Sequence, residues 1–403
     1  MDSRQRVLCA LNHQEPDRVP IDMGGTIATS IDVGAYYRLR QYLGLLERPV
    51  RVYDIVQMEP FVDMDVIERL GVDCVMVPWL RPRLNMRLDT QKPWVLFDGT
   101  PVQVPQDFAP VENPDGSLDL VVNGTPIARM PKGAPHFEPI PRRSSGKLDL
   151  PDLSTMNLPL LTDEELRYCQ DQARALRQGT DKALVSVVET SLGPWGAMED
   201  WLMAMALERE YVREYNEKKT EGVILNLELY AEAVGPYLDV IGFHRDLGGQ
   251  NNPLISPSTF RDLFFPCYKR TFGWVHEHTD WKVFFHCCGS IVPLIPLFIE
   301  CGVDILNPVQ CSAANMDPER LKREFGQDLV FWGGGVDTQT VLSFGSPEQV
   351  RRQVRERVSI LGPGGGFVFT PVHAIQSEVP PENIVAAYET VLEYGRYPLT
   401  NVS

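Results

Sequence analysis

The chain has 403 residues, 43% of them hydrophobic and 23% charged, which is the composition of a globular protein rather than a disordered or fibrous one. Its formal net charge of −16 disfavours nucleic-acid binding, which needs a cationic face. No uninterrupted apolar run is long enough to span a membrane, and the N-terminal segment lacks the apolar core of a signal peptide, so we expect a cytoplasmic location.

Along the chain, short β-branched runs alternate with longer amphipathic runs. The predicted strands lie at 18–23, 73–78, 183–189, 237–243, 282–286, 303–307, 329–332 and 367–370. An N-terminal helix and a helix near 61–71 are predicted upstream, and further helices at 196–234, 256–278, 291–301, 317–325, 346–360 and 381–395. Ser256 and Asp317 each precede a proline, which predicts a capped helix start at both positions.

Eight strands, each followed by a helix, favour a closed (β/α)₈ barrel over an open doubly wound sheet. A closed (β/α)₈ barrel routinely exceeds 250 residues, so a single barrel can account for residues 1–403. The rival is an open doubly wound sheet, and it is disfavoured because no Gly-x-Gly-x-x-Gly follows an early strand. The fold prediction is therefore a (β/α)₈ barrel of the TIM type.

Residues 84–150 interrupt this alternation. The segment is rich in proline, and it carries the pairs Asp98-Gly99, Asp115-Gly116 and Asn123-Gly124 between short alternating runs. Such pairs are typical of β-hairpin turns, because glycine and asparagine accept positive φ. We expect a small β-rich insertion after strand two that covers one end of the barrel.

Polar residues follow the predicted strands at the end where a barrel carries its chemistry. Strands three to eight all end in ionisable or amide residues, whereas their interiors are almost wholly apolar. The residues concerned, together with one after strand one, are Asp22, Glu189, His244, Asp246, Gln250, His286, Cys288, Asn307, Gln310, Asp337 and His373. Six such strand ends predict a functional site.

The most specific local pattern is His286-Cys287-Cys288. In an extended backbone, residues i and i+2 project to the same face, so His286 and Cys288 can converge while Cys287 points away. Imidazole and thiolate are preferred ligands of Zn²⁺, and His373, Glu189 or Asp246 could complete a site. The alternative interpretation is a buried thiol beside a histidine that hydrogen-bonds substrate.

Five long segments resemble the uroporphyrinogen decarboxylase superfamily, whose fold is a (β/α)₈ barrel. They are RVLCALNHQEPDRVPIDMGG, DLGGQNNPLISPSTFRDLFFPCYKR, HCCGSIVPLIPLFIECGVDILNPVQ, LKREFGQDLVFWGGGVDTQTVLSFGSPEQV and GGGFVFTPVHAIQSEVPPENI. The decarboxylase itself binds its tetrapyrrole carboxylates with two arginines after strand one. Here that position reads IDMGGT and both arginines are missing, so haem biosynthesis is disfavoured.

The other branch of the superfamily contains corrinoid-dependent methyltransferases, similar to the methylcobamide:coenzyme M enzymes and the methyltransferase components of O-demethylases. The resemblance implies a Zn²⁺ held by a His-x-Cys after strand five and a cysteine after strand eight. His286 and Cys288 match the first two positions, whereas the third segment reads TPVHAIQ and offers His373 instead of a cysteine. A more histidine-rich zinc favours an oxygen or nitrogen centre over a thiolate.

Two hypotheses follow. In the first, a methyltransferase moves a methyl group between a small substrate and a corrinoid on a partner protein; His286, Cys288 and His373 bind Zn²⁺, and Glu189 or Asp246 is a further ligand or proton-transfer group. In the second, a metal-free lyase decarboxylates a small carboxylic acid, with Asp246 or Asp22 stabilising charge and the two histidines orienting substrate. The candidate substrate-binding residues are Asp22, His244, Gln250, Asn307, Gln310 and Asp337. No cobalamin-binding Asp-x-His-x-x-Gly occurs in the chain, and a homodimer is left open.

Overall fold

The computed structural model describes the chain except for residues 142–147, 149, 157, 189–191, 193–195 and 400–403. The α-helices α1 to α13 are Ser3–Leu11, Val33–Leu43, Met64–Arg69, Asp163–Gly179, Met198–Leu207, Arg209–Val234, Pro257–Leu263, Phe265–His278, Ile295–Cys301, Pro318–Phe325, Val341–Phe344, Pro347–Leu361 and Pro381–Tyr394. The strands β1 to β15 are Val50–Asp54, Glu59–Pro60, Cys74–Met76, Gln91–Val95, Pro101–Pro105, Val111–Glu112, Leu118–Val122, Thr125–Met130, Glu138–Pro139, Ala183–Val187, Val240–His244, Lys282–His286, Ile305–Asn307, Val330–Trp332 and Phe367–Val368. Among the described residues, no helix has the length and apolarity to cross a membrane.

Seven parallel strands form the central sheet, in the order β15-β14-β13-β12-β11-β10-β3. The segment around Ile21 joins its two edges. Asp22 N donates to Phe369 O at 2.8 Å, and Asp73 N donates to Ile21 O at 2.7 Å. Ile21 and Phe369 also form a parallel bridge, so this segment is the eighth member and the sheet closes on itself. The predicted (β/α)₈ barrel is confirmed.

Two predicted helices are each divided in the structure, and one helix was not predicted. The predicted helix at 196–234 consists of α5 and α6, and the one at 256–278 consists of α7 and α8. Pro266 stands in the first turn of α8, where its missing N–H breaks the ladder that would join α7 to α8. Helix α4 was not predicted, although Thr162 and Glu165 form the capping box that marks its start.

The barrel is filled from its N-terminal end. Apolar side chains from the seven strands pack inside the barrel, together with two residues of α1, which lies at this end. The members of this inner core are Val7, Leu11, Cys74, Ala183, Val185, Val240, Phe284, Ile305, Val330, Trp332 and Val368. The aromatic rings of Phe284 and Trp332 meet edge to face at 5.6 Å between centroids. Because side chains fill the N-terminal half of the barrel, the space for a functional site is at its C-terminal mouth.

One buried carboxylate ties the closing segment to its neighbours. Asp73 is fully buried and accepts hydrogen bonds from Arg6 Nη1 at 2.7 Å, from Arg18 Nη1 at 2.7 Å and from Ile21 N at 2.9 Å. The ion pairs satisfy a charge that would otherwise be costly to bury, and they fasten α1 and the segment around Ile21 to the start of β3.

The insertion is β-rich, as predicted. Its strands belong to two four-stranded sheets, ordered β2-β1-β5-β4 and β6-β7-β8-β9. Three hairpins turn at the predicted glycines, since Gly99 has a φ of 88°, Gly116 a φ of 79° and Gly124 a φ of 77°. The first sheet also recruits β1 and β2, which precede barrel strand β3 in the chain, because β1 pairs in parallel with β5. The sequence prediction placed the insertion wholly after strand two and missed this pairing.

Candidate metal centre at the barrel mouth

The structure brings His286, Cys288 and His373 together at the barrel mouth. One ligand atom from each lies within 4.8 Å of the others, and Cys288 Sγ is 3.3 Å from His286 Nε2. His286 ends β12, and the chain turns sharply at Gly289, whose φ is 90°. Because barrel strands are parallel, the loop after β15 reaches the same rim and contributes His373.

Cys287 points the opposite way, as the two-residue period of a strand predicts. Its side chain is fully buried in the core outside the barrel, where Sγ accepts a hydrogen bond from Leu247 N at 3.3 Å. The pKa of this thiol is raised to about 12, first because of burial. Cys287 is thus a structural thiol.

Asn307 sets the tautomer of His286. Asn307 Nδ2 donates to Trp332 O at 2.7 Å, which orients Oδ1 toward His286 Nδ1 at 2.6 Å. The hydrogen-bond network therefore assigns the proton to Nδ1 and leaves the lone pair of Nε2 facing Cys288. This is the arrangement in which a second residue orients a metal-ligating histidine. Asn307 was predicted as a substrate-binding residue, and its observed contacts are with the protein.

The electrostatics of the cluster favour neutral ring nitrogens. Burial lowers the pKa of His286, and it lowers the pKa of His373 to about 4, with His286 adding to the effect. Burial also raises the pKa of the Cys288 thiol, and the charge of Asp246 raises it further. The site accordingly offers two imidazole lone pairs and a sulfur in a poorly solvated pocket, where a cation would displace the thiol proton.

Asp246 lies at the open side of the cluster. Its Oδ1 accepts a hydrogen bond from Cys288 N at 3.0 Å and is 3.7 Å from His286 Nε2. The side chain is 61% exposed, so water reaches it. Among the described residues, Asp246 is thus an acidic side chain beside the cluster. Glu189, the other predicted acid, lies outside the described residues.

His244 packs against the cluster from the neighbouring strand. Its ring stacks on that of His286 with 4.9 Å between centroids. Nε2 of His244 is buried and has no hydrogen-bond partner among the described residues. Burial, together with His286 and Arg83, holds its pKa well below the usual range. Arg83, which the sequence analysis did not single out, comes from the segment that leads into the insertion.

The two predicted glutamines secure the loops at the rim. Gln310 Oε1 accepts from Gly289 N at 2.8 Å, and Gln250 Nε2 donates to Ser312 O at 2.7 Å. The two side chains also meet, with Gln310 Nε2 donating to Gln250 Oε1 at 3.4 Å. These bonds hold the turn after Cys288, and a role in substrate binding stays a prediction.

The other two predicted aspartates, Asp337 and Asp22, bond to groups outside the cluster. Asp337 Oδ1 accepts from the backbone N–H and the hydroxyl of Thr340, both at 2.7 Å, and so closes a turn. Asp22 is fully buried and accepts from Trp332 Nε1 and Gly25 N, both at 2.8 Å. Burial raises the pKa of Asp22 to about 6. Neither has a described contact with the cluster, and their binding role stays a prediction.

Gly248 is a further residue that the sequence did not single out as part of the site. A Cβ at this position would lie 2.3 Å from Cys288 O, closer than real Cβ contacts come. The loop after β11 can approach the loop that carries Cys288 after β12 only because residue 248 has no side chain. The Gly248-Gly249 pair in the loop after β11 was the available signal.

A closed parallel barrel whose titratable side chains gather at the C-terminal mouth is the architecture of the TIM-barrel enzymes. The sequence model of the family described as Uroporphyrinogen decarboxylase (URO-D) matches residues 124–394, which is more than half of the chain. The chain belongs to this family. No curated protein shows significant sequence similarity to it.

Solved structures also resemble this chain. A methyltransferase from Methanosarcina mazei is 16% identical with a TM-score of 0.60, and the match covers 98% of this chain and 99% of that one. At this identity the likeness shows a shared fold. The 7,8-dihydropteroate synthase from Vibrio fischeri ES114 is 11% identical, with coverage of 87% and 94% and a TM-score of 0.30, which is too low to support an argument.

Proposed function

We propose that this protein is a zinc-dependent methyltransferase that moves a methyl group between a small substrate and a corrinoid carried by a partner protein. The observation that carries the proposal is the convergence of His286, Cys288 and His373, whose ligand atoms lie within 4.8 Å of one another. Family membership and the fold shared with the Methanosarcina mazei methyltransferase support it.

The residues fit zinc by their chemistry and spacing. Bonds of about 2.0–2.3 Å in a tetrahedral site put ligand atoms about 3.3–3.8 Å apart. The cluster needs a contraction of about 1 Å to reach that spacing, within the reach of side-chain rotation. Three protein ligands leave a fourth position for water or substrate, as in catalytic zinc sites. Asn307 provides the orienting hydrogen bond that such histidines commonly receive.

Each residue of the site has a role in this scheme. His286, Cys288 and His373 would bind the metal, which when bound supplies Lewis acidity toward the substrate atom that exchanges the methyl group. Asp246, exposed and beside His286, is placed to carry a proton between water and the substrate heteroatom, which gains a proton when it gives its methyl group to the corrinoid and releases one when it accepts the methyl group. Glu189 is proposed as a further ligand or proton-transfer group. His244 Nε2 is available for a hydrogen bond to substrate.

The test uses the full-length chain with free cob(I)alamin in place of the partner protein. Zinc-loaded protein is incubated with a panel of methyl ethers, methylamines and methyl thioethers, and methylation of the corrinoid is followed by its absorbance. We expect methylation with at least one donor, loss of the reaction after chelation, and recovery when zinc is added back.

The competing lyase hypothesis makes the opposite prediction in the same samples. A metal-free decarboxylase releases CO₂ from small carboxylic acids and is indifferent to chelation. Corrinoid methylation that persists in chelated protein, or CO₂ release from an acid panel with no methyl transfer, would overturn the proposal.

A further inference from the structure

A cavity of about 410 Å³ lies between the insertion, the start of α2 and Ser377. Its volume is in the range of sites that hold a small organic molecule. The metal ligands are not among the described residues that line it. Nothing in the proposed methyl transfer uses this cavity, so it is open to a separate role.

One wall of the cavity is aromatic. Trp94, Phe97, Phe108 and Phe137 line it. The Trp94 and Phe108 rings meet edge to face at 5.3 Å between centroids, and Phe108 meets Phe137 in the same way at 6.1 Å. These contacts hold the rings in place, while Phe97 is 41% exposed at the rim. Rigid aromatic walls attract both apolar groups and cations.

The other wall carries carboxylates. Asp32, Asp98 and Glu112 line it, against one guanidinium, that of Arg38, which donates to Ser377 O. Asp32 is only 6% exposed and caps α2, with Oδ1 accepting from the N–H groups of residues 34 and 35 at 2.9 Å. Its Oδ2 has no hydrogen-bond partner among the described residues. A residue that lines the cavity thus has a nearly buried carboxylate with one oxygen free of described hydrogen bonds.

We infer that this cavity binds a small organic cation, a protonated amine or a quaternary ammonium with an apolar body. The carboxylates outnumber the single guanidinium, so the cavity favours positive charge. The aromatic wall adds a cation–π contribution and packs against the apolar part. Asp32 supplies the charged contact that anchors the ligand.

Isothermal titration calorimetry with benzyltrimethylammonium tests this inference on the full-length protein. Benzyl alcohol and benzoate serve as neutral and anionic probes of similar shape. We expect one site per chain, with the cation binding at least about tenfold more tightly than either probe, since cation–π and charge contacts each contribute on that scale. Asp32→Asn keeps a good helix cap while removing the charge, and it should weaken the cation about tenfold or more.

Two controls separate this site from others. Asp115→Asn removes the same charge from an exposed insertion turn that does not line the cavity, and it should bind the cation like the wild type. His286→Ala removes a proposed metal ligand and should also leave cation binding unchanged, so that failure of the methyltransferase proposal would not affect this one. Absence of cation binding, benzoate binding as tight as the cation, or unchanged affinity in Asp32→Asn would each overturn the inference.

Discussion

Replacing Asn307 by leucine tests whether the hydrogen bond to His286 prepares a metal ligand. The substitution keeps the side-chain size but removes two buried bonds, the 2.6 Å contact to His286 Nδ1 and the 2.7 Å bond to Trp332 O. Without an acceptor for Nδ1–H, the ring loses the orientation that presents Nε2. Loss of such an orienting partner weakens metal binding about 10–100-fold, which is about 1.4–2.8 kcal/mol.

Zinc affinity is measured by competition with a chromophoric chelator, and global stability by urea unfolding. Asn383→Leu is the matched control, because Asn383 is equally buried and its Nδ2 also bonds to main-chain oxygens, those of Leu342 and Gly345, away from the site. Both variants should lose stability, since each leaves buried polar groups unpaired. Only Asn307→Leu should lose zinc affinity. Equal zinc affinity in the two variants would refute the orienting role.

Two further predictions concern contacts that stabilise the barrel and the candidate site. Asp73→Asn leaves two guanidinium groups without their buried carboxylate, and it should lower the free energy of unfolding by about 3–5 kcal/mol in urea titrations. A loss below about 1 kcal/mol would show that the ion pairs of Asp73 do not stabilise the closed barrel. Gly248→Ala puts a Cβ 2.3 Å from Cys288 O and should reduce bound zinc, whereas Gly273→Ala, whose Cβ would meet no described atom within 4 Å, should retain it. Normal zinc content in Gly248→Ala would mean that the two loops need not approach each other closely.

The barrel was predictable because its strands are apolar runs that alternate with amphipathic runs, and the strand at Lys282–His286 has the predicted bounds. The closing segment was predicted as a strand over 18–23, yet only isolated bridges at Arg18 and Ile21 are formed. Helix α4 was missed because its first turn is acidic and polar, so the capping box had to be noticed instead of an apolar face. The pairing of β1 with β5 is long-range, and no local pattern encodes it.

The candidate site was predictable to the extent that it follows strand ends. Strand periodicity was sufficient to separate Cys288 from Cys287, and a common rim was sufficient to bring His373 near His286. The partners of amide side chains were not predictable, because an amide serves equally well for substrate or backbone. Asn307 orients a histidine, and this depends on a contact across two strands that residue types alone do not specify.

The central claim is that His286, Cys288 and His373 hold a zinc ion. It is tested most directly by elemental analysis of full-length protein purified without chelator, as wild type, Cys287→Ser and Cys288→Ser. Serine can replace Cys287 as acceptor for Leu247 N, whereas it is a poor substitute for a thiolate ligand. We predict about one zinc per chain in the wild type and in Cys287→Ser, and little in Cys288→Ser. Wild-type protein without zinc, or equal loss in both variants, would contradict the account.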